Sequence, residues 1–403
     1  METGGTPVLR LRAAANLILG NLAAFVLNAG VRLDQKHRFA RSRRSGNSFL
    51  WLLVILMAAG VAWLWWNAAK PKSKPRPVAK ISTAPTPSTL IISNAPARPK
   101  TNAPLVVFAA GYPRQVQTPF EAQLELDRLG ISSGSLDGKI GSQTHAAIRA
   151  FQRQANLPVT GELDAITKSN LTLNTPPITT YVVTSNDVAR LQPLSKTWTG
   201  KSQQTALDYE TILELVAEKS HSHPELIRRM NPGVNWTNVT VGTPLQVPDV
   251  TRDEPPEKAA FVRISLSGKT LEAFDTDSNL LVHFPCSIAQ RVEKRPIGDL
   301  HVAVIAPNPN YTFDPELFPE SAEAKEAPDV KLILPPGPNS PVGVVWIGLD
   351  KTEGHISGYG MHGTPRPEDV GRTESHGCFR LANWNAELLL KIVWMGMPVY
   401  VVP

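Results

Sequence analysis

The sequence predicts a multidomain α+β protein, in which a three-helix domain and a small α/β domain precede a mainly β domain that carries one helix. Three observations support this prediction. The chain of 403 residues is too long for one ordinary domain. Residues 117–171 show the apolar spacing of helices, broken by glycine turns. Residues 258–403 show the alternating apolar pattern of strands, followed by one helical pattern near the end.

Basic charge is concentrated near the N terminus. Residues 1–80 contain 13 Lys or Arg and 2 Asp or Glu, whereas the remaining 323 residues contain 28 and 33. The net charge of +6 therefore does not describe the folded part of the chain. That part offers no electrostatic case for binding nucleic acid, and we expect no nucleic-acid partner.

An apolar run lies within this basic region. The stretch "FLWLLVILMAAGVAWLWW", residues 49–66, is uncharged, ends in tryptophans and has basic clusters on both sides. About 20 apolar residues are enough to span a bilayer, and such flanks are typical of a span. We therefore predict a basic segment at 1–46 and an uncleaved membrane anchor at 47–69, with the body of the protein on the extracytoplasmic side. A cleaved signal peptide is the alternative.

Residues 70–114 are rich in proline, serine, threonine and alanine, and we interpret them as an extended linker. The three-helix domain is expected at 115–173. Its first helix has the apolar residues Phe120, Leu124, Leu126 and Leu129 and ends at Gly130. A second helix would be capped by Ser142 or Thr144, and a third lies in "TGELDAITKSNL".

The stretch "LDGKIGSQTHAAIRAFQRQANLPVTGELDAIT" resembles the peptidoglycan-binding domain type 1 family. The features that match are Asp137-Gly138, Gly141, Thr144, Ala147, Phe151-Gln152, Leu157, Gly161 and Thr167. The resemblance implies a module that binds the cell wall. A generic helical spacer is the alternative.

Residues 180–250 predict the small α/β domain. We expect a helix, a second short helix that begins at Pro224, a turn at Asn231-Pro232-Gly233, and a final strand in "VGTPLQVP". This order resembles the lysin-motif family, which implies glycan binding. A linker domain that keeps only the shape is the alternative.

The mainly β domain is expected at 258–403. Strands are predicted in "AFVRISL", "KTLEAF", "NLLVHFPCSI", "DLHVAVIAP", "GVVWIGL" and "MPVYVVP". One helix in "WNAELLLKIVWMG" would be capped by Asn383 and stopped by Gly396. The proline-rich, acidic stretch 311–343 predicts either a lid over a site or a solvated insertion.

Reactive side chains are concentrated in "SHGCFRLAN", residues 375–383, and in "GMHGT", residues 360–364. Cys378 is a candidate nucleophile, with His362 and His376 as candidate bases, because a thiol needs a base or a positive environment to attack as a thiolate. Gly363 and Gly377 allow the backbone to approach closely, and the amide of Cys378 could face an oxyanion. Two alternatives are a buried structural cysteine and a zinc site that adds His355 to His362, His376 and Cys378.

The stretch "HGTPRPEDVGRTESHGCFRLANWNAELLLKIVWMGMPV" resembles the L,D-transpeptidase catalytic domain of the YkuD type, and "CSIAQRVEKRPIGDLHVAVI" is similar to an earlier region of that family. The resemblance implies that Cys378 is the nucleophile, that His362 transfers the proton and that the Gly363 carbonyl orients His362. His376 and Gly377 would shape the pocket and the oxyanion site. Around the pocket, Arg380 would meet a substrate carboxylate or brace the loop, Tyr359 would line the wall, and Ser375 would lie nearby with a structural role.

The family's reaction releases the terminal D-alanine of a peptidoglycan stem tetrapeptide, leaves an acyl-enzyme, and transfers the acyl group to an amine. It implies peptidoglycan as the partner and needs no metal and no cofactor. Two alternatives are a carboxypeptidase or cysteine peptidase acting on stem peptides, and a catalytically idle protein that binds the wall. The second cysteine, Cys286, lies in a strand pattern, and we interpret it as a buried free thiol.

Overall fold

The computed structural model describes residues 111–253, 257–351 and 358–403. The basic segment, the membrane anchor and nearly all of the linker predicted above lie outside these residues. Within them, no helix has both the length and the apolar character that a membrane span requires. The described residues belong to one compact unit.

The helical segment begins this unit, and its three predicted helices are confirmed. Thr118 caps the first helix by accepting a hydrogen bond from the Glu121 amide at 3.2 Å, and Gly130, with φ +79°, follows its end. Two short strands that the sequence did not predict pair antiparallel beside the helices. The elements are β1 (Arg114–Gln115), α1 (Pro119–Arg128), α2 (Ser142–Gln154), α3 (Ala165–Asn170) and β2 (Thr172–Leu173).

The predicted cap of α2 is wrong. The N-cap is Gly141, which makes no side-chain bond, and Ser142 is the first helical residue. Thr144 is buried instead, and its hydroxyl accepts a hydrogen bond from the Gln123 side chain at 3.1 Å. The threonine therefore joins α2 to α1 and does not close the helix end.

The central segment contains the predicted helices and final strand. The second of its two longer helices begins at Pro224, as the sequence predicted, and β4 pairs antiparallel with a preceding strand, β3. Two short helices between β3 and α6 were not predicted. The elements are β3 (Ile178–Val182), α4 (Ser185–Ala189), α5 (Trp198–Ser202), α6 (Ile212–Lys219), α7 (Pro224–Met230) and β4 (Pro244–Pro248).

The C-terminal segment is built on an eight-stranded sheet. Its strands are β5 (Phe261–Ser265), β6 (Thr270–Phe274), β7 (Leu280–Pro285), β9 (Gly298–Pro307), β12 (Val345–Asp350), β13 (Tyr359–His362), β15 (Phe379–Arg380) and β16 (Pro398–Val402). The strands lie in the order β15-β13-β12-β9-β16-β5-β6-β7, in which the pairs β13·β15 and β16·β5 are parallel and the other neighbours are antiparallel. Two further pairs join β8 (Ile288–Ala289) to β14 (Thr373–Ser375) and β10 (Tyr311–Phe313) to β11 (Leu332–Leu334).

The described helices of this segment differ from the prediction in two respects. A short second helix, α8 (Ala322–Glu326), lies in the stretch 311–343. The main helix, α9 (Asn383–Ile392), has Ala382 as its N-cap and ends before Gly396. Asn383 is therefore its first residue, and its side chain is buried and bonded elsewhere, as described below.

The helical segment covers the edge strand β7. The Ser132 amide donates to the His283 carbonyl at 2.8 Å, and the His283 amide donates to the Gly130 carbonyl at 3.0 Å. A β-carbon at Gly130 would lie 3.2 Å from the Leu281 carbonyl oxygen, so a larger residue would crowd this contact. The exposed hydrogen-bonding groups of a sheet edge are thereby satisfied within the chain.

An ion cluster centred on Glu272 reinforces the same junction. Its carboxylate contacts Arg153 of α2 at 2.5 Å, Arg263 of β5 at 2.6 Å and the His283 ring at 3.1 Å. Burial opposes ionisation of this carboxyl, but the hydrogen bonds from His283 and Arg263 and the nearby positive charges outweigh it and lower its pKa to about 2. The charged carboxylate thus holds the helical segment against the sheet.

We predict that Glu272→Gln lowers the free energy of unfolding at pH 7 by about 2–3 kcal/mol, because the variant loses a carboxyl group whose ionised form is more strongly favoured in the folded state than in the unfolded state. The contribution is present above the ordinary carboxyl pKa of 4.5 and is lost as the pH falls towards 2. Stability should therefore depend less on pH in that window in the variant. Chemical denaturation between pH 2.5 and 7 measures this. Glu162→Gln, at an exposed carboxylate, is the control, and equal losses in both variants would contradict the prediction.

Candidate active site

The two predicted motifs meet at adjacent strands. Strands β13 and β15 are parallel, with Met361 opposite Phe379 and His362 opposite Arg380. Met361 and Phe379 are buried in the core of the sheet, which fixes the register. Cys378 immediately precedes β15, and it lines the same cleft as His362.

His362 is held in one orientation and one tautomer. Its ring is almost fully buried and stacks on Trp346, with the ring centroids 5.5 Å apart. Its Nδ1 lies 2.6 Å from the Gly363 carbonyl oxygen, as the sequence predicted. Because a carbonyl only accepts hydrogen bonds, Nδ1 carries the proton and Nε2 is left as the basic nitrogen. Burial lowers the pKa of His362 to about 4, so the ring is neutral at pH 7.

Cys378 is a half-buried thiol. Its Sγ lies 3.7 Å from the Gly358 carbonyl oxygen. Burial raises the pKa of the thiol to about 11, although a backbone hydrogen bond at Gly360 and the charge of Arg380 favour the thiolate. At neutral pH the pair therefore consists of a protonated thiol and a neutral imidazole, a combination in which the imidazole can take the proton as the sulfur attacks.

The loop around the cysteine is braced from within. The Ser375 hydroxyl donates to the Cys378 carbonyl at 2.6 Å and accepts from the Gly377 amide at 3.4 Å. Ser375 borders the cleft, but its hydroxyl is engaged by the loop backbone, which agrees with the structural role expected for it. A β-carbon at Gly377 would lie 3.3 Å from the Tyr359 ring, so the glycine permits close packing of the loop.

His376 and Arg380 complete this part of the site. His376 is exposed and lies against Phe318, with the ring centroids 5.0 Å apart. Partial burial and then the positive charge of Arg380 lower its pKa. Arg380 lies 3.4 Å from the Glu374 carboxylate and also lines the cleft. The structure therefore brings all eight sequence-predicted site residues to one cleft or its supporting loop.

Asn383 fixes the His362 loop from behind. Its Oδ1 accepts hydrogen bonds from the Thr364 amide at 3.1 Å and the Val344 amide at 3.3 Å. A β-carbon at Gly363 would overlap that same oxygen, so glycine is required next to His362. The sequence missed this role because Asn383 stands where a helix N-cap is expected.

The cleft has a volume of about 410 Å³ and is cationic. Lys201, Arg366 and Arg380 border it, and none of the described residues in its lining is Asp or Glu. One wall consists of residues that sequence analysis did not assign to the site, namely Trp198, Lys201, Tyr311, Leu317 and Phe318. The stretch 311–343 thus supplies part of the wall of the cleft. No short motif marks these residues, because they come from distant segments.

The remaining candidates are readily placed. Both cysteines of the chain are free, and Cys286 is fully buried, which raises the pKa of its thiol to about 12. Among the described residues, no three His, Cys, Asp or Glu side chains come together as metal ligands. His355, named in the zinc alternative, lies outside those residues.

Comparison with known proteins identifies two domain families in the chain. Residues 118–171 match the family described as "Putative peptidoglycan binding domain", and residues 259–401 match the family described as "L,D-transpeptidase catalytic domain". The Bacillus licheniformis protein named "Putative L,D-transpeptidase YkuD" is 26% identical over 192 residues, which are 47% of this chain and 93% of that protein. "Putative L,D-transpeptidase YqjB" of Bacillus subtilis is 34% identical over 108 residues, 26% of this chain and 51% of that protein.

Among solved structures, L,D-transpeptidase 3 from Mycobacterium tuberculosis aligns with a TM-score of 0.28 and 17% identity, over 41% of this chain and 77% of that one. The two family matches support an L,D-transpeptidase catalytic domain at residues 259–401 and a peptidoglycan-binding domain at residues 118–171. Both matches support peptidoglycan as a partner of the chain. The lysin-motif likeness of residues 180–250 and the domain boundaries stay predictions.

We predict that Gly363→Ala destabilises the protein by about 1–3 kcal/mol, because the added methyl group meets the Asn383 side chain in a packed region. It should also change the rate at which iodoacetamide labels Cys378, since the His362 loop must shift. Gly233→Ala is the control, because a β-carbon there meets open space. Thermal unfolding and mass spectrometry of the labelled protein measure both effects, and a Gly363→Ala variant that matches Gly233→Ala in both would contradict the prediction.

Proposed function

We propose that the protein is a cell-wall L,D-transpeptidase that uses Cys378 to release the terminal D-alanine of a stem tetrapeptide and transfers the acyl group to an amine. The observation that carries this proposal is the pair formed by a neutral, oriented His362 and the Cys378 thiol in one cationic cleft. The amine acceptor is a second stem peptide or a protein. Cross-link formation and protein attachment follow from these two acceptors.

In the first step, Cys378 Sγ attacks the carbonyl carbon that precedes the terminal D-alanine, and Nε2 of His362 takes the thiol proton. The carbon–nitrogen bond then breaks, His362 gives the proton to the departing amine, and a thioester remains. In the second step the acceptor amine attacks the thioester and passes its proton to His362. The sulfur leaves and is reprotonated, so the enzyme returns to its starting state.

The surroundings of the pair fit roles in this reaction. The backbone amide of Cys378 would stabilise the oxyanion of each tetrahedral intermediate, and Gly377 would shape the site around it. His376 and Tyr359 would shape the pocket, and Arg380 would attract a substrate carboxylate. The departing D-alanine carries a carboxylate, so positive charge without acidic groups in the lining favours this class of substrate.

We further propose that residues 47–69 anchor the chain in the membrane and that the catalytic domain works on the extracytoplasmic side, in the periplasm or at the cell wall. The apolar run and its basic flanks support the anchor. Residues 180–250 would bind glycan as a lysin-motif-like domain. The two longer helices, α6 and α7, lie between the paired strands β3 and β4, which supports this reading, and the short helices α4 and α5 are additions to that order.

Mass spectrometry of reaction products tests the proposal. The protein from about residue 104 onward, or the full chain in detergent, is incubated with disaccharide tetrapeptides, and Cys378→Ala is the control. We expect dimers that have lost one D-alanine, and no such dimers with Cys378→Ala, because both steps of the acyl transfer need the thiol. Tripeptides as the sole product would show that water, and not an amine, accepts the acyl group, as in a carboxypeptidase. The absence of any product that depends on Cys378 would favour an idle protein that binds the wall.

We predict that the acid limb of the acylation rate lies near pH 4, well below the ordinary histidine value of 6.5. His362 must be neutral to accept the thiol proton, and burial keeps its pKa at about 4, so protonation should slow the reaction about tenfold per pH unit only below that value. Single-turnover acylation measured from pH 3.5 to 8 reports this limb.

Trp346→Ala tests the cause, because the stacked ring shields His362 from water. The variant should move the acid limb upward, towards 6.5. Circular dichroism at each pH separates the titration from unfolding. An acid limb near 6.5 in the parent protein would contradict the assignment of a buried, neutral base.

A further inference from the structure

Part of the cleft wall defined above comes from outside the residues that match the L,D-transpeptidase family. Trp198 and Lys201 belong to α5, in the central segment, and yet they border the same cleft as Cys378 and His362. The family match begins only at residue 259. The catalytic pair and these two wall residues are therefore supplied by different parts of the chain.

The wall is held firmly in place. Trp198 stacks on Phe313 and lies against Phe318, with ring centroids 4.7 Å and 5.2 Å away. The Glu323 carboxylate of α8 accepts a hydrogen bond from the Trp198 amide at 2.6 Å at the start of α5. The Leu207 amide donates to the Pro336 carbonyl at 2.9 Å. The central segment and the stretch 311–343 thus form one joint surface beside the cysteine.

Lys201 is the cation of this wall, and among the described residues it makes no ion pair. Its side chain is partly buried, with the ammonium 5.7 Å from the centre of the Trp198 ring. The other two cations in the cleft each have a carboxylate partner: Arg366 lies 3.3 Å from Asp369, and Arg380 lies 3.4 Å from Glu374. In the described ranges, no carboxylate comes within ion-pair distance of the Lys201 ammonium.

We propose that Lys201 is a specificity-determining residue that binds a carboxylate of the peptide substrate beside Cys378. A partly buried ammonium without an ion-pair partner gains more from a bound carboxylate than an exposed lysine does, since water screens the pair less. Burial also lowers the pKa of Lys201 and outweighs the opposing negative charge of Glu210, which lies beyond ion-pair distance. The inference rests on the proposed function only in taking Cys378 as the reacting group.

Two small alkylating agents test this directly, because iodoacetate is an anion and iodoacetamide is neutral but both react with the same sulfur. A change in the thiolate fraction of Cys378 alters both rates equally, so it does not alter their ratio. We expect Lys201→Gln to lower the iodoacetate-to-iodoacetamide ratio about fivefold at low salt, as the loss of one nearby charge predicts. Lys201→Arg should retain most of the ratio, since it keeps the charge.

Lys196→Gln is the matched control. It removes the same charge five positions earlier on the same segment, but Lys196 is exposed and does not border the cleft. Its ratio should equal that of the parent. The buried Cys286 serves as an internal reference, and peptide mass spectrometry assigns the label to each cysteine. If Lys201→Gln melts at a lower temperature than the parent protein, Lys201→Met replaces it, because methionine is also neutral and of similar length.

The same variants are then compared on a stem tetrapeptide and on its C-terminal amide. The parent should prefer the free carboxylate, and Lys201→Gln should reduce that preference through a higher KM. An unchanged alkylation ratio in Lys201→Gln and Lys201→Met would overturn the inference. A lowered alkylation ratio in Lys201→Gln and Lys201→Met, together with no transpeptidation by the parent protein, would support the carboxylate site and contradict the proposed function.

Discussion

The side-chain amide of Asn383 is the contact on which the site depends. Its oxygen holds the backbone amides of Thr364 and Val344, and its nitrogen donates to the Glu218 carboxyl at 3.1 Å and to the Pro338 carbonyl at 3.2 Å. One buried amide therefore joins the His362 loop, the start of α9, the end of the stretch 311–343 and the central segment. Because all its hydrogen-bonding capacity is used away from water, its loss would leave several buried groups unpaired.

The Glu218 carboxyl shows what kind of joint this is. Burial raises its pKa to about 8, so it is largely protonated at neutral pH and meets Asn383 and the Tyr209 hydroxyl as a neutral group. The junction between the central segment and the C-terminal segment thus relies on neutral hydrogen bonds, whereas the junction between the helical segment and the C-terminal segment relies on the charged Glu272. The two junctions should respond to pH in opposite senses, the first weakening as the pH rises and the second as it falls.

Local signals predicted much of this molecule. Spacing, glycine positions or a short motif predicted the three helices of the first segment, the helix at Pro224, the main strands and the placement of His362 and Cys378 in one cleft. The predictions failed where a residue has two possible roles. Ser142 and Asn383 look like helix caps, but each is the first residue of its helix, and the buried Asn383 side chain bonds to other segments instead. The wall formed by Trp198, Lys201 and Phe318 could not be predicted, because its parts are more than a hundred residues apart and meet only through tertiary packing.

The bonding of the helical segment to strand β7 has a mechanical consequence. Backbone hydrogen bonds at Ile131 and its neighbours, together with the Arg153–Glu272 contact, leave no flexible joint between the peptidoglycan-binding domain and the catalytic sheet. When the peptidoglycan-binding domain is bound to the wall, the Cys378 sulfur would lie at a fixed distance and angle from the bound position. Under the proposed function, this fixed distance would determine which neighbouring strand of the wall the protein can modify.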